Sequence, residues 1–238
     1  MKDLKNIASW IEDNSESIIS NIEQESVAVY LFLQEQFAKT NVTENHLFQF
    51  VYRSFYRLDN AGLTPEFKTE YFRILEENKG SGIFDFDSVL RRLHGFKNRK
   101  DQESMQFSFV TKLFNTIDPN SPIYDSAVAT VFSFKRPYAK DFDAKLEKYL
   151  NQLETINNAY TEIRNNQLLS ATVGLFNKKF PGHNLSEVKI LDFIFWSAGK
   201  ILESTSHLAE DGYHTIAELD KIDEKLSAEA KVADINPN

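Results

Sequence analysis

Apolar residues recur three and four positions apart along most of the chain, which is the period of an amphipathic helix. Leu4, Ile7 and Ile11, then Ile18 and Ile22, mark the first such faces, and residues 26–38 read as a buried helix rich in rings. Thr43 is placed as the cap of the next helix, with Leu47, Phe48, Val51, Phe55 and Leu58 on one face and Gly62 as its stop. Thr64-Pro65-Glu66-Phe67 has the cap-then-proline start of another helix, which carries Phe67, Tyr71, Phe72 and Leu75 and closes at Asn78-Lys79-Gly80-Ser81-Gly82. Residues 83–93 follow, with Asp87 as a cap, and a further helix holds Phe107, Val110, Leu113, Phe114 and Ile117. Asp118-Pro119-Asn120-Ser121-Pro122 is a turn by composition. Asp125 then opens a short helix to about Phe134, and residues 141–180 read as one long helix or a pair. A strongly apolar helix begins at Ser186 and runs to Ile201 or Leu202, and Ile216, Leu219, Ile222 and Leu226 line one face of a tail helix.

No alternating run is long enough for a strand. The pattern predicts an all-α fold of roughly nine to eleven helices. Residues 1–203 read as one domain with room for a two-lobed body and a cleft near residues 80–140, and residues 204–238 as an acidic tail.

Composition sharpens this picture in three places. Twenty Phe, against nine Tyr and two Trp, imply a core built on large rings. The absence of cysteine removes disulfides, thiolate metal sites and cysteine nucleophiles. No run approaches the ~20 apolar residues of a membrane span, and the first residues lack an apolar signal core, so a cytoplasmic protein is expected. The net charge of −8 argues against a nucleic-acid partner. Its distribution argues the other way: residues 91–140 hold nine Lys/Arg and four acids, a surplus of five positive charges, whereas residues 204–238 hold three lysines and eight acids.

The basic surplus surrounds the most informative motif, Pro122-Ile123-Tyr124-Asp125-Ser126-Ala127-Val128. Together with Leu93-His94-Gly95-Phe96 upstream it resembles the helix–hairpin–helix DNA glycosylase superfamily. In that family a glycine hairpin leads into a helix, and a Pro-Ile/Val-x-Asp segment supplies the catalytic acid. The resemblance covers about 35 residues and implies that Asp125 stabilises an oxocarbenium-like sugar and steers the attacking nucleophile. It also implies a base flipped into a pocket between helical layers. The hairpin here, Leu93-His94-Gly95-Phe96-Lys97, lacks the family's proline and second glycine. Family members with a Schiff-base lysine carry it near the start of that helix, whereas Lys112 stands thirteen residues before Asp125, mid-helix. Asp125 is equally readable as an ordinary helix cap, stabilising the first turn by ~1 kcal/mol. The wider pattern, including residues 108–114 and 191–200, also resembles a group of bacterial proteins with no settled activity.

Other candidates are weaker. Lys97, Arg99 and Lys100 in the hairpin loop, with Lys135 and Arg136, are positioned in sequence to hold a nucleic-acid backbone. Arg53 and Arg57, four apart on one helix, could share an anion. Asp192, between apolar residues, calls for a buried partner such as Arg53 or Arg57. The five histidines lack metal-ligand spacing, so no metal or cofactor is expected, and phosphate-loop and serine-hydrolase motifs are absent. Two readings remain open. One is a nucleic-acid-directed protein, DNA its partner, with Asp125 and Lys112 as candidate catalytic residues. The other is a non-enzymatic helical protein that pairs with a second copy or another protein through its tail helix.

Overall fold

Every regular element among the described residues is helical, as the hydrophobic period predicts. The computed structural model describes residues 3–81 and 84–208; the expected tail helix at 216–226 lies outside them. Helix α1 (Leu4–Asp13) starts at Asp3, whose carboxylate accepts the Lys5 amide, and α2 (Ser15–Ser20) follows directly. Helix α3 (Gln24–Lys39) buries Val27, Tyr30, Leu33 and Phe37. Helix α4 (His46–Phe55) is capped by Asn45, which accepts the Phe48 amide at 2.9 Å, and not by Thr43. Thr43 instead bonds Asn41 through both its amide and its hydroxyl, so the chain turns before the helix begins. Phe48 and Tyr52 therefore face the core, while Leu47 and Phe50 are 63% and 60% exposed.

Helix α5 (Pro65–Glu77) opens at Thr64 and Pro65 as expected. Helix α6 (Phe86–His94) is capped by Asp85 rather than Asp87, which is occupied by Arg91 at 2.8 Å. Helix α7 (Phe107–Ile117) leads through the Asp118–Pro122 turn into α8 (Ser126–Val131). The last turn of α8 closes earlier than predicted because Ser133 takes a left-handed conformation (φ 55°). The Ser133 and Phe134 amides then return to the carbonyls of Thr130 and Ala129, each at 2.9 Å, satisfying the orphan acceptors of the helix end. Of the two readings of residues 141–180, one long helix or a pair, the chain forms the pair: α9 (Phe142–Asn166) and α10 (Ser170–Lys179), broken at left-handed Gln167.

Helix α11 (Glu187–Leu208) is the axis of the molecule. Residues 188–195 are buried without interruption, which a helix shows only when it is surrounded. Helices α2, α8, α9 and α10 all pack on it. Contact with α8 is backbone to backbone. A Cβ built on Gly199 would lie 2.8 Å from the Ala127 Cα and closer still to its carbonyl. Ala127 and Ala198 at the crossing are fully buried. Glycine inside a helix costs about 1 kcal/mol relative to alanine, so its place here is a packing requirement.

Gly199→Ala is therefore expected to lower the unfolding free energy by about 3 kcal/mol, measured by urea denaturation with far-UV circular dichroism. A gain in stability, as helix propensity alone would give, would show that α8 and α11 are not in this contact.

Candidate functional site

Residues 121–124, which follow the turn after α7, are buried and outside any helix, so their backbone polar groups need partners that no helix or sheet supplies. Side chains of α7 and α11 provide them. Asn115 donates to the Ser121 carbonyl at 2.7 Å. The Ile123 amide donates to Asp192 at 3.1 Å. The Tyr124 amide donates to the Thr111 hydroxyl at 3.1 Å, and that hydroxyl lies 3.3 Å from the Tyr124 carbonyl. Pinned in this way, the segment delivers Asp125 to the N-cap of α8, where one carboxylate oxygen accepts the Ala127 amide at 3.1 Å. The other accepts from the Lys112 ammonium at 2.9 Å.

Both members of that pair line a cavity of about 1430 Å³. Its walls carry Phe55, Tyr56, Phe107, Phe109, Tyr124, Phe134, Tyr149, Phe193 and Trp196, and Arg57, Lys135 and Arg136 add positive charge. Glu23 and Glu25, from the start of α3, also reach it. The Asp125 and Lys112 side chains are 19% and 12% exposed, which leaves both accessible from the cavity. Burial opposes ionisation of Asp125, but the Lys112 charge, its hydrogen bond and the Ala127 amide outweigh it, and the carboxyl is held below its ordinary value. The cap and the cavity-facing carboxylate are thus one residue.

Other sequence candidates are dispersed. Arg53 is paired with Asp59 at 3.2 Å, whereas Arg57 lines the cavity, so the two arginines do not form one anion site. Lys97 is paired with Asp101, the Arg99 amide donates to the Gly62 carbonyl, and the 97–100 loop does not line the cavity. Lys135 and Arg136 do, and neither has an ion pair among the described residues. Arg91 and Arg92 are neutralised locally, the first by Asp87 and Asp143, the second by Glu70 and Glu77.

The partner of Asp192 is Lys189, not an arginine. Lys189 lies 3.7 Å from the Asp192 carboxylate, donates to Asn115 at 3.2 Å and sits 4.3 Å from the centre of the Tyr30 ring. The i, i+3 spacing of Lys189 and Asp192 was the available signal. Two further features had none: Arg57 and Ser133 line the cavity as non-glycine residues in left-handed conformations, at φ 58° and 55°. Such backbone costs about 1 kcal/mol or more and collects at functional sites.

Burial raises Asp192 to about 6 from 3.8, and burial lowers Lys189 to about 8 from 10.5. Asp192 therefore contributes stability that is complete below about pH 4 and lost as pH rises through about 6. Lys189 contributes stability that is complete above about pH 10 and lost as pH falls through about 8. Between those limits both are ionised, and each depends on the other. Lys189→Met is expected to destabilise by about 3 kcal/mol at pH 7, where it strands a buried carboxylate. The loss should shrink at pH 5, where Asp192 takes up a proton. An equal loss at both values, by urea denaturation, would contradict the ion pair. Protein-family models, curated proteins and solved structures were all compared with the chain, and none matches it.

Proposed function

We propose that this protein engages nucleic acid and receives an extruded nucleobase in the ring-lined cavity, where Asp125 acts on the attached sugar. One observation carries the reading: an ionised aspartate and a lysine, 2.9 Å apart, open together onto a cavity walled by aromatic rings. Rings of this kind hold a planar base by stacking. A carboxylate fixed beside the sugar stabilises the positive charge that develops as the C–N glycosidic bond breaks. The base departs with the bonding electrons, water adds to the sugar carbon, and the proton that water loses ends on the departed base. Lys112 keeps Asp125 ionised. The helix–hairpin–helix arrangement inferred from Leu93–Phe96 and the Asp125 motif belongs to the same proposal, as does a cytoplasmic location. No helix of the described residues is long and apolar enough to cross a membrane.

The test is a panel of labelled oligonucleotides, single- and double-stranded, each with one damaged or mismatched base, treated with alkali and resolved on a gel. The expected result is strand cleavage at one class of modified base, reduced by about a hundredfold or more in Asp125→Asn. The same protein should be retained on nucleic acid in a salt-dependent manner. The absence of both cleavage and retention would overturn the reading.

A second, non-enzymatic reading rests on the exposed side chains of Leu47 and Phe50 on α4. Apolar rings and branches left in water mark partner surfaces when they adjoin. Under this reading the full chain exceeds monomer mass in light scattering, and Leu47→Asp restores the monomer. A monomer before and after that substitution removes a homo-oligomer built on this face.

A further inference from the structure

The strip Lys135-Arg136-Pro137-Tyr138 leaves α8 immediately after the left-handed Ser133 turn. It has no helical hydrogen bonds, yet it is fastened. Gln152 of α9 donates to the Lys135 carbonyl at 2.9 Å, and Lys148 donates to the Tyr138 carbonyl at 2.9 Å. Gln152 in turn accepts from the Tyr124 hydroxyl at 2.8 Å, which ties the strip to the residue preceding Asp125. The anchors hold backbone, so the side chains stay free. Lys135 and Arg136 are exposed and without an ion pair among the described residues, and Tyr138 is 78% exposed. A shallow hollow of about 360 Å³ runs along the strip to Lys148 and Asn151, and it shares Lys135 and Arg136 with the large cavity.

We propose that this strip guides one unpaired nucleic-acid strand into the cavity, its phosphates on Lys135 and Arg136 and a base stacked on Tyr138. The proposal rests on the reading of the cavity as a nucleobase site and specifies the form of the substrate. Cations beside an exposed ring are the pattern that binds single strands without sequence preference, because every base has a face to stack. Three observations favour one strand over two. The other predicted backbone-binding loop, residues 97–100, does not line the cavity. Of the cations at the cavity without an ion pair among the described residues, Lys135 and Arg136 belong to the strip and only Arg57 lies elsewhere. Glu23 and Glu25 line the same cavity and would repel a second phosphate backbone. A strand that is already unpaired also spares the cost of extracting a base from a duplex.

The experiment is fluorescence anisotropy of the full chain with a labelled single strand of about 12 nucleotides and with the same strand in a duplex, over a salt series. The single strand should bind more tightly than the duplex. A Lys135→Ala/Arg136→Ala double variant should weaken it about tenfold or more and reduce the salt slope by roughly one to two. Tyr138→Ala should weaken it about tenfold, and Tyr138→Trp should restore it. All three side chains are exposed, and unchanged circular dichroism will confirm that the variants fold. Duplex binding equal to or tighter than single-strand binding, or affinity indifferent to these substitutions, would overturn the strip while leaving the cavity reading standing. Equal displacement by polyglutamate would overturn it too, by showing a site for any polyanion. Failure to bind either form at any salt would overturn both.

Discussion

The buried carboxylate of Asp192 holds the backbone amide of Ile123, and the course of the chain into α8 depends on that hydrogen bond. The residue lies in the second turn of α11, within the unbroken buried run 188–195, and is 5% exposed. A charge there is costly to bury, and an ion pair does not in general recover the cost better than a well-packed apolar pair. The charge secures position instead. Lys189 and Asn115 complete the cluster, and Asn115 also holds the Ser121 carbonyl, so the same few side chains fix both ends of a short extended segment. An apolar substitute would fill the space but leave the Ile123 amide without an acceptor.

That position governs where Asp125 stands. Asp125 terminates the pinned segment and opens α8, which lies against α11 with a glycine at the crossing. The carboxylate is thereby set between a helix amide and the Lys112 ammonium, facing a cavity walled by rings. Two aspartates joined through a short stretch of backbone thus meet opposite conditions. Asp192 is raised because burial dominates, and Asp125 is lowered because a cation and an amide outweigh burial. Divergence of this kind within one site is how carboxylates are assigned separate tasks. Both line the cavity; here Asp192, 5% exposed, anchors the backbone, and Asp125, its side chain 19% exposed, is the more accessible to a ligand.

Much of the fold was legible because helical period and turn composition are local signals. Thr64-Pro65 marked the start of α5, and Asp125 marked the start of α8. The errors came where two similar caps compete within a few residues. Asn45 prevails over Thr43 because Thr43 is consumed by Asn41, and Asp85 prevails over Asp87 because Asp87 is consumed by Arg91. The site was half legible. Asp125 and Lys112 were singled out thirteen residues apart, and one helix face plus one turn brings them together. Tertiary placement decided the rest. Arg53 and Arg57 separate because the helix ends between them, at Phe55, and Arg57 turns left-handed. The cavity walls come from α3, α4, α7, α8, α9 and α11, a convergence that no local pattern announces.

Carboxyl-detected carbon NMR, tracking the Asp125 and Asp192 side chains through a pH titration, tests the central claim most directly. The account predicts that Asp125 titrates below the ordinary aspartate value and Asp192 well above it, at about 6. Titration of both in the ordinary range, or in the reverse order, would contradict the pinned segment and the placement of Asp125 that depends on it.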